Sequence, residues 1–293
     1  MDFGAEVSAG QRFEFGKNWQ RYIATLDQAK LESAKASLVE ILGDLRGKTF
    51  FDAGSGSGIF SLAAVQLGAI VHSIDYDPYS VECTRTLKER FSPQGDWVIE
   101  QGSVLDRAFL ERLGRFDVIY CWGVLHHTGD MWTALDNVAS SVKSRGQLWI
   151  SIYNDQGKAS HFWKLVKRTY NKGKIAKALV LFVGFTFFLA RGLVGDIFRM
   201  RNPLWRYRQA PGRGMDIFSD WIDWLGGWPF EVAKPEEVFD FCMQRGFTLH
   251  KLRTSAGGIG CNEFLFAKDG LVKAEFTAPE TNPHTSSEYQ KLS

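Results

Sequence analysis

The chain has 293 residues, 45% of them hydrophobic and 23% charged, the balance of an ordinary globular protein; collagen-like, coiled-coil and wholly disordered readings are excluded. Its 35 Lys and Arg against 33 Asp and Glu leave a net charge of +2, which rules out a bulk polyelectrolyte. Four cysteines (Cys83, Cys121, Cys242, Cys261) show no CxxC spacing, so neither a disulfide framework nor a zinc site is expected, and a reducing cytoplasm is the expected compartment. The opening residues, MDFGAEVSAGQRFEFG, carry acids and glycines where a signal peptide needs a basic stretch and an apolar core.

Residues 20–45 read as a helix, with Ile23, Leu26, Leu31, Leu38, Val39 and Leu42 at helical intervals. From Lys48 short apolar runs alternate with helical stretches. Residues 49–53, 70–74, 97–100, 117–121 and 147–153 read as strands, and 59–67, 79–90, 106–113 and 132–143 as the helices between them. Asp106 reads as the cap of its helix. This alternation implies a parallel sheet with crossover helices on both faces and a ligand crevice at the carboxyl ends of the strands. It stops after Tyr153 and resumes with a helix at 235–245 and two strands, 248–253 and 262–267, joined by a turn containing Gly257, Gly258 and Gly260. The expected organisation is an N-terminal helical lid (1–46), a core (47–155), a helical insert (156–232), the C-terminal part of the core sheet (233–269) and a polar, disordered tail from Gly270.

The most informative stretch is Phe51-Asp52-Ala53-Gly54-Ser55-Gly56-Ser57-Gly58, which joins the first strand to a helix. Glycines there let the backbone turn tightly and approach a ligand that any Cβ would strike. The third glycine falls one residue too early for a dinucleotide fingerprint, and no Lys-Ser/Thr follows to make a P-loop. Asp52 stands where a pyrophosphate would be repelled and a sulfonium or ammonium welcomed. Asp75 ends the second strand, placed to accept both hydroxyls of a ribose.

With these residues the chain resembles the class I S-adenosylmethionine-dependent methyltransferases, Asp52–Gly58 matching the first motif and Asp75 the second. The resemblance covers roughly residues 47–153 and 235–268. It implies an α/β fold: a Rossmann-like, seven-stranded mixed sheet with its last strand antiparallel and helices on both faces, here with a helical insert before the last two strands. It also implies S-adenosyl-L-methionine as cofactor, held by Asp52, Gly54, Ser55, Gly56 and Gly58, by Asp75 on the ribose and by Tyr76 against the adenine. Ser103, Val104 and Cys121 complete that set. One departure is that the third motif usually offers an acid where this chain reads Gln101-Gly102-Ser103-Val104.

The fourth strand ends Tyr120-Cys121-Trp122-Gly123-Val124-Leu125-His126-His127. This is similar to the V-L-E-H-V pattern of the quinone O-methyltransferases, with His126 in place of the usual Glu. Methyl transfer to a hydroxyl requires alignment and removal of a proton, which an imidazole near pH 7 can accept. His126 and His127 are therefore the catalytic candidates, as base or acceptor-orienting group; helix capping and packing against the sheet are the competing roles. Trp19, Trp122, Tyr153, Asn154, Trp224 and Glu263 are the candidate acceptor contacts.

Between Gln156 and Arg213 the sequence holds thirteen Lys/Arg and a single acid, Asp196. Within it, residues 178–190 are thirteen uncharged, mostly large apolar residues. As a helix such a run spans ~20 Å, short of a bilayer core of ~30 Å, so a transmembrane span is not expected. The segment must be covered by protein, lipid or a greasy substrate. It reads either as a lid or as a peripheral contact with anionic membrane through residues 172–208, at the inner face of the membrane. A long apolar run is no base-stacking platform, which counts against nucleic acid as a partner. The expected function is methyl transfer to a small lipophilic or aromatic acceptor, oxygen before sulfur or nitrogen. Methylation of RNA through the basic insert and a non-catalytic cofactor-binding sensor stay open, as does the oligomeric state.

Overall fold

The structure, a computed structural model, describes residues 2–198, 217–256 and 260–269; the expected tail, the turn glycines Gly257 and Gly258, and the basic stretch 199–213 lie outside them. Seven strands, β1 (Thr49–Ala53), β2 (Ile70–Asp75), β3 (Trp97–Gln101), β4 (Phe116–Trp122), β5 (Val142–Tyr153), β6 (Phe247–Arg253) and β7 (Cys261–Lys268), form one sheet in the order β3-β2-β1-β4-β5-β7-β6. The first five pair in parallel, and β7 runs antiparallel to both β5 and β6. This is the mixed sheet expected from the sequence.

Alternating side chains of each strand serve opposite layers. Phe51, Ile119, Leu148 and Phe266 face α6 (Arg107–Leu113), α7 (Met131–Ser140) and α11 (Pro235–Met243). Their neighbours Phe50, Val118, Trp149 and Leu265 face α3 (Gln28–Leu42), α4 (Ile59–Gln66) and α5 (Pro78–Phe91). Being covered on both sides, β1 is buried almost throughout. The connections leaving β1 and β4 go to opposite faces, so their carboxyl ends flank a crevice at the switch point of the sheet.

Two boundaries differ from the sequence reading. The stretch 20–45 is two helices, α2 (Gly16–Ala24) and α3, because Asp27 takes an extended conformation and caps α3, its carboxylate accepting from the Lys30 amide at 2.8 Å. The helix placed at 132–143 ends at Ser140, and β5 starts at Val142. Lys143 thus lies in a strand, where its ammonium donates to Asp117 at 2.9 Å. Asp106 does cap α6, accepting from the Phe109 amide.

A short α1 (Phe3–Ser8) and α2 lie at the carboxyl edge of the sheet. The insert forms α8 (Lys158–Tyr170), α9 (Lys174–Phe198) and α10 (Ile217–Gly226), which share a third core of Tyr170, Leu225 and Phe13 with Trp163, Phe185 and Phe188 against it. Gly58 opens α4 at φ 82°, and a Cβ there would sit 2.9 Å from the Cα of Thr84 on α5. Gly58→Ala should therefore lower the free energy of unfolding by about 1–3 kcal/mol, measured by chemical denaturation; a change below about 0.5 kcal/mol would show that this corner relaxes freely.

Candidate active site

The loop after β1 turns through three glycines with positive φ, Gly54, Gly56 and Gly58. Like Gly58, the other two meet neighbours at close range. A Cβ on Gly54 would lie 2.3 Å from Val124, and one on Gly56 would press on the Trp19 indole at 3.0 Å. The loop is held open by Asp75 at the tip of β2, whose two carboxylate oxygens accept the Gly56 and Asp77 amides, each at 2.9 Å. Burial pushes the Asp75 carboxyl up to about 7, against the pull of those two amides.

These groups border a cavity of about 1270 Å³ at the carboxyl edge of the sheet. Gly54, Ser55, Gly56, Asp75, Tyr76, Ser103 and Val104 form one side of its wall. Other predicted cofactor residues lie elsewhere. Asp52 is buried beneath the loop, accepting the Ser61 hydroxyl, which reaches Ser73 and through it the Trp97 indole. Burial raises its carboxyl to about 7. Cys121 is in the core with its thiol donating to the Ala53 carbonyl, and Gly58 makes the turn into α4. Asp52 and Cys121 thus support the loop and strand from behind.

The histidines also line the cavity, on a 3₁₀ turn (Leu125–His127) that follows β4. Their hydrogen bonds separate their roles. His127 Nδ1 is 2.7 Å from the Pro229 carbonyl, which can only accept, so Nδ1 carries the proton and the lone pair of the neutral ring is on Nε2. His126 Nδ1 accepts from the Tyr153 amide at 3.3 Å, which puts the proton of the neutral ring on Nε2. His126 is fully buried and its ring centroid lies 4.0 Å from that of Tyr153. His127 therefore has the tautomer of a base and His126 that of a donor.

Trp19, Trp122, Tyr153, Trp224 and Glu263 all line the same cavity. Asn154 does not; it accepts from the Asn262 side chain and joins β5 to the turn before β7. The N-terminal aromatic run closes over the cavity: Phe13, Phe15 and Trp19 reach it, and the α2 amide of Gly16 donates to Asp77 at 2.7 Å.

Several contributing residues carry no signature in the sequence. Arg12 donates to the carbonyls of His127 (3.0 Å) and Thr128 (3.4 Å), pairs with Glu6 at 2.6 Å, and lies over the Tyr76 ring at 4.7 Å. One guanidinium thereby ties the histidine turn to the ring of Tyr76. Asn18 of α2 donates to Asp223 of α10, tying lid to insert. Lys167, one of the cations of the basic insert, is completely buried: its ammonium donates to the Trp224 carbonyl amid the rings of Tyr153, Trp224 and Phe230. Burial lowers it to about 7. Among the described residues no His, Cys, Asp and Glu cluster has the makings of a metal site.

A seven-stranded sheet with this order, a glycine-rich first loop and an acid at the tip of β2 define the class I methyltransferase architecture. Residues 51–148 match the family model described as a methyltransferase domain. The ubiquinone biosynthesis O-methyltransferase of Xanthomonas campestris (strain B100) is 32% identical over 135 residues, 46% of this chain and 53% of that protein. Its counterpart in Nitrosomonas europaea is 30% identical over 131 residues, 45% and 54% of the two chains. The aligned region thus spans about half the length of these curated relatives. Among solved structures, magnesium protoporphyrin IX methyltransferase of Synechocystis PCC 6803 superposes with a TM-score of 0.50 at 16% identity over 86% of this chain and 94% of that one. An O-methyltransferase family protein from Burkholderia thailandensis gives 0.51 at 12% identity, covering 92% and 67%. Residues 51–148 are thus similar to a methyltransferase domain, and the whole sheet has the fold that these solved methyltransferases share.

The buried ionisable groups make opposite contributions to stability. Asp52 and Asp75, raised from about 4 to about 7, favour the folded chain while protonated, so their contribution is full below pH ~4 and is lost as pH rises to ~7. Lys167, lowered from 10.5 to about 7, favours the folded chain while neutral, so its contribution is full above pH ~10.5 and is lost on descent to ~7. In thermal unfolding without ligand, Asp75→Asn should flatten the fall in stability between pH 5 and 7, and Lys167→Met the rise between pH 8 and 10. Unchanged pH profiles in both variants would contradict this assignment.

Proposed function

We propose that this chain transfers a methyl group from S-adenosylmethionine to a hydroxyl of a small, lipophilic, phenol- or quinol-type acceptor. One observation carries the reading: a single cavity is lined by the glycine loop and Asp75 and also by the histidine turn and a set of aromatic side chains. Donor and acceptor seats are thus continuous, as direct displacement demands. The names of the curated relatives support a quinone-type acceptor and oxygen as the methylated atom.

The residues fit the cofactor. Asp75 accepts the ribose hydroxyls beside the backbone it already holds, Tyr76 with Arg12 behind it covers the adenine, and the missing Cβ atoms of Gly54 and Gly56 let Val124 and Trp19 of the cavity wall pack directly on the loop. When bound, the cofactor supplies a methyl group already activated on a sulfonium. His127 accepts the acceptor's hydroxyl proton at Nε2, and the Pro229 carbonyl steadies the imidazolium that results. His126, fully buried behind Tyr153, holds that ring in place as part of the acceptor wall. Trp19, Trp122 and Trp224 clasp a flat apolar ring and exclude water.

The test is release of S-adenosylhomocysteine over a panel of phenols, catechols and quinols. His127→Gln should lower kcat by about 10²–10⁴-fold while leaving cofactor affinity within about threefold. Turnover equal to wild type in His127→Gln would remove the base role. Cofactor binding with no turnover on any acceptor would favour the sensor reading.

A further inference from the structure

The sequence run of thirteen apolar residues belongs to a longer helix. α9 has 25 residues, about 37 Å at 1.5 Å per residue. Its most apolar window has a mean hydropathy of 2.0 and is only 6% buried. One stripe packs on protein: Leu181, Phe185 and Phe188 meet α8 and α10, and Gly184 approaches Leu225 so closely that a Cβ would come within 2.6 Å of it. Asp196, the only acid of the helix, is buried. The remaining surface is apolar and exposed, with Ile175 87%, Phe182 73% and Phe198 85% accessible, and Phe162 and Leu165 of α8 extend it.

The polar surroundings of this patch have one sign. Lys158, Lys164, Arg168, Lys172, Lys174, Lys177 and Arg191 are all exposed on α8, α9 and their connection, and no exposed acid accompanies them among the described residues of 156–198. We propose that α8 and α9 dock flat on an anionic lipid surface, the apolar stripe entering the acyl boundary and the cations meeting phosphate headgroups. A second copy of the chain is a poor occupant, since an isologous pairing would bring like charges together. Against a spanning helix stand the stripe packed on α8 and α10 and the separate burial of the Asp196 carboxyl group.

The same helix also borders the cavity, through Phe188 and Arg191. Docking therefore sets the acceptor side of the pocket beside the acyl chains, a route for an acceptor dissolved in the bilayer. That consequence rests on the proposed function; the docking does not.

Co-sedimentation of the full chain with phosphatidylcholine vesicles, with and without phosphatidylglycerol, tests the proposal. At low salt, binding to the anionic vesicles should exceed binding to neutral ones by about tenfold or more, and molar salt should release the protein. Leu179→Glu with Phe182→Glu should abolish binding. Charge reversal at Lys164, Lys172 and Lys177 should weaken it, with S-adenosylhomocysteine affinity within about twofold of wild type in both variants. Equal binding to both vesicle types, variants that bind like wild type, or retention on vesicles through alkaline carbonate would each overturn the proposal. So would a vesicle-free dimer that the Leu179→Glu, Phe182→Glu variant dissociates. Docking without turnover would count against the proposed acceptor alone, and turnover without docking against this inference alone.

Discussion

The carboxylate of Asp75 holds the site together. Its two oxygens take the amides of Gly56 and Asp77, which fixes the glycine loop to the tip of β2 and the start of α5. A buried carboxylate that accepts two backbone amides is held rigidly, yet it resists ionisation unless further donors or a positive charge come near. Ribose hydroxyls and a sulfonium offer those donors and that charge. A pyrophosphate would add negative charge at the same place. The proposed choice of nucleoside rests in this way on one side chain and the loop it grips.

The cover over this seat comes from distant parts of the chain and is fastened by charged groups. Arg12 bridges the turn of His127 and the ring of Tyr76, so the N-terminal segment presses on donor and acceptor sides together. Asn18 reaches Asp223, and Lys167 secures Trp224 from beneath. Buried polar contacts of this kind cost desolvation and return specificity of placement. Removing any one of them would loosen the cover while leaving the sheet intact, because its two cores are separate from that of the insert.

The sheet was legible in the sequence because parallel strands buried on both faces are compact apolar runs, and those from Thr49 to Tyr153 stand out between amphipathic helices. The glycine spacing and Asp75 were legible for a different reason: few chemistries need that backbone. Less could be read where tertiary contacts decide. The break at Asp27 is invisible to periodicity, since Ile23 and Leu31 remain at helical spacing across it. Asp52 reads as a ligand contact because it adjoins the loop, but strand alternation turns it under the loop toward Ser61. Lys167 looks like any cation of a basic helix, and only the fold reveals the three rings around it. Arg12 contacts residues more than a hundred positions away, a pairing that no local pattern encodes.

The central claim is that the loop and Asp75 select a positively charged adenine nucleoside. Isothermal titration of the purified chain with S-adenosylmethionine, S-adenosylhomocysteine, NAD and ATP addresses it directly. The account predicts saturable binding of the first two and none of the phosphate-bearing pair at comparable concentration. Saturable uptake of NAD or ATP, with neither sulfur nucleoside bound, would contradict it.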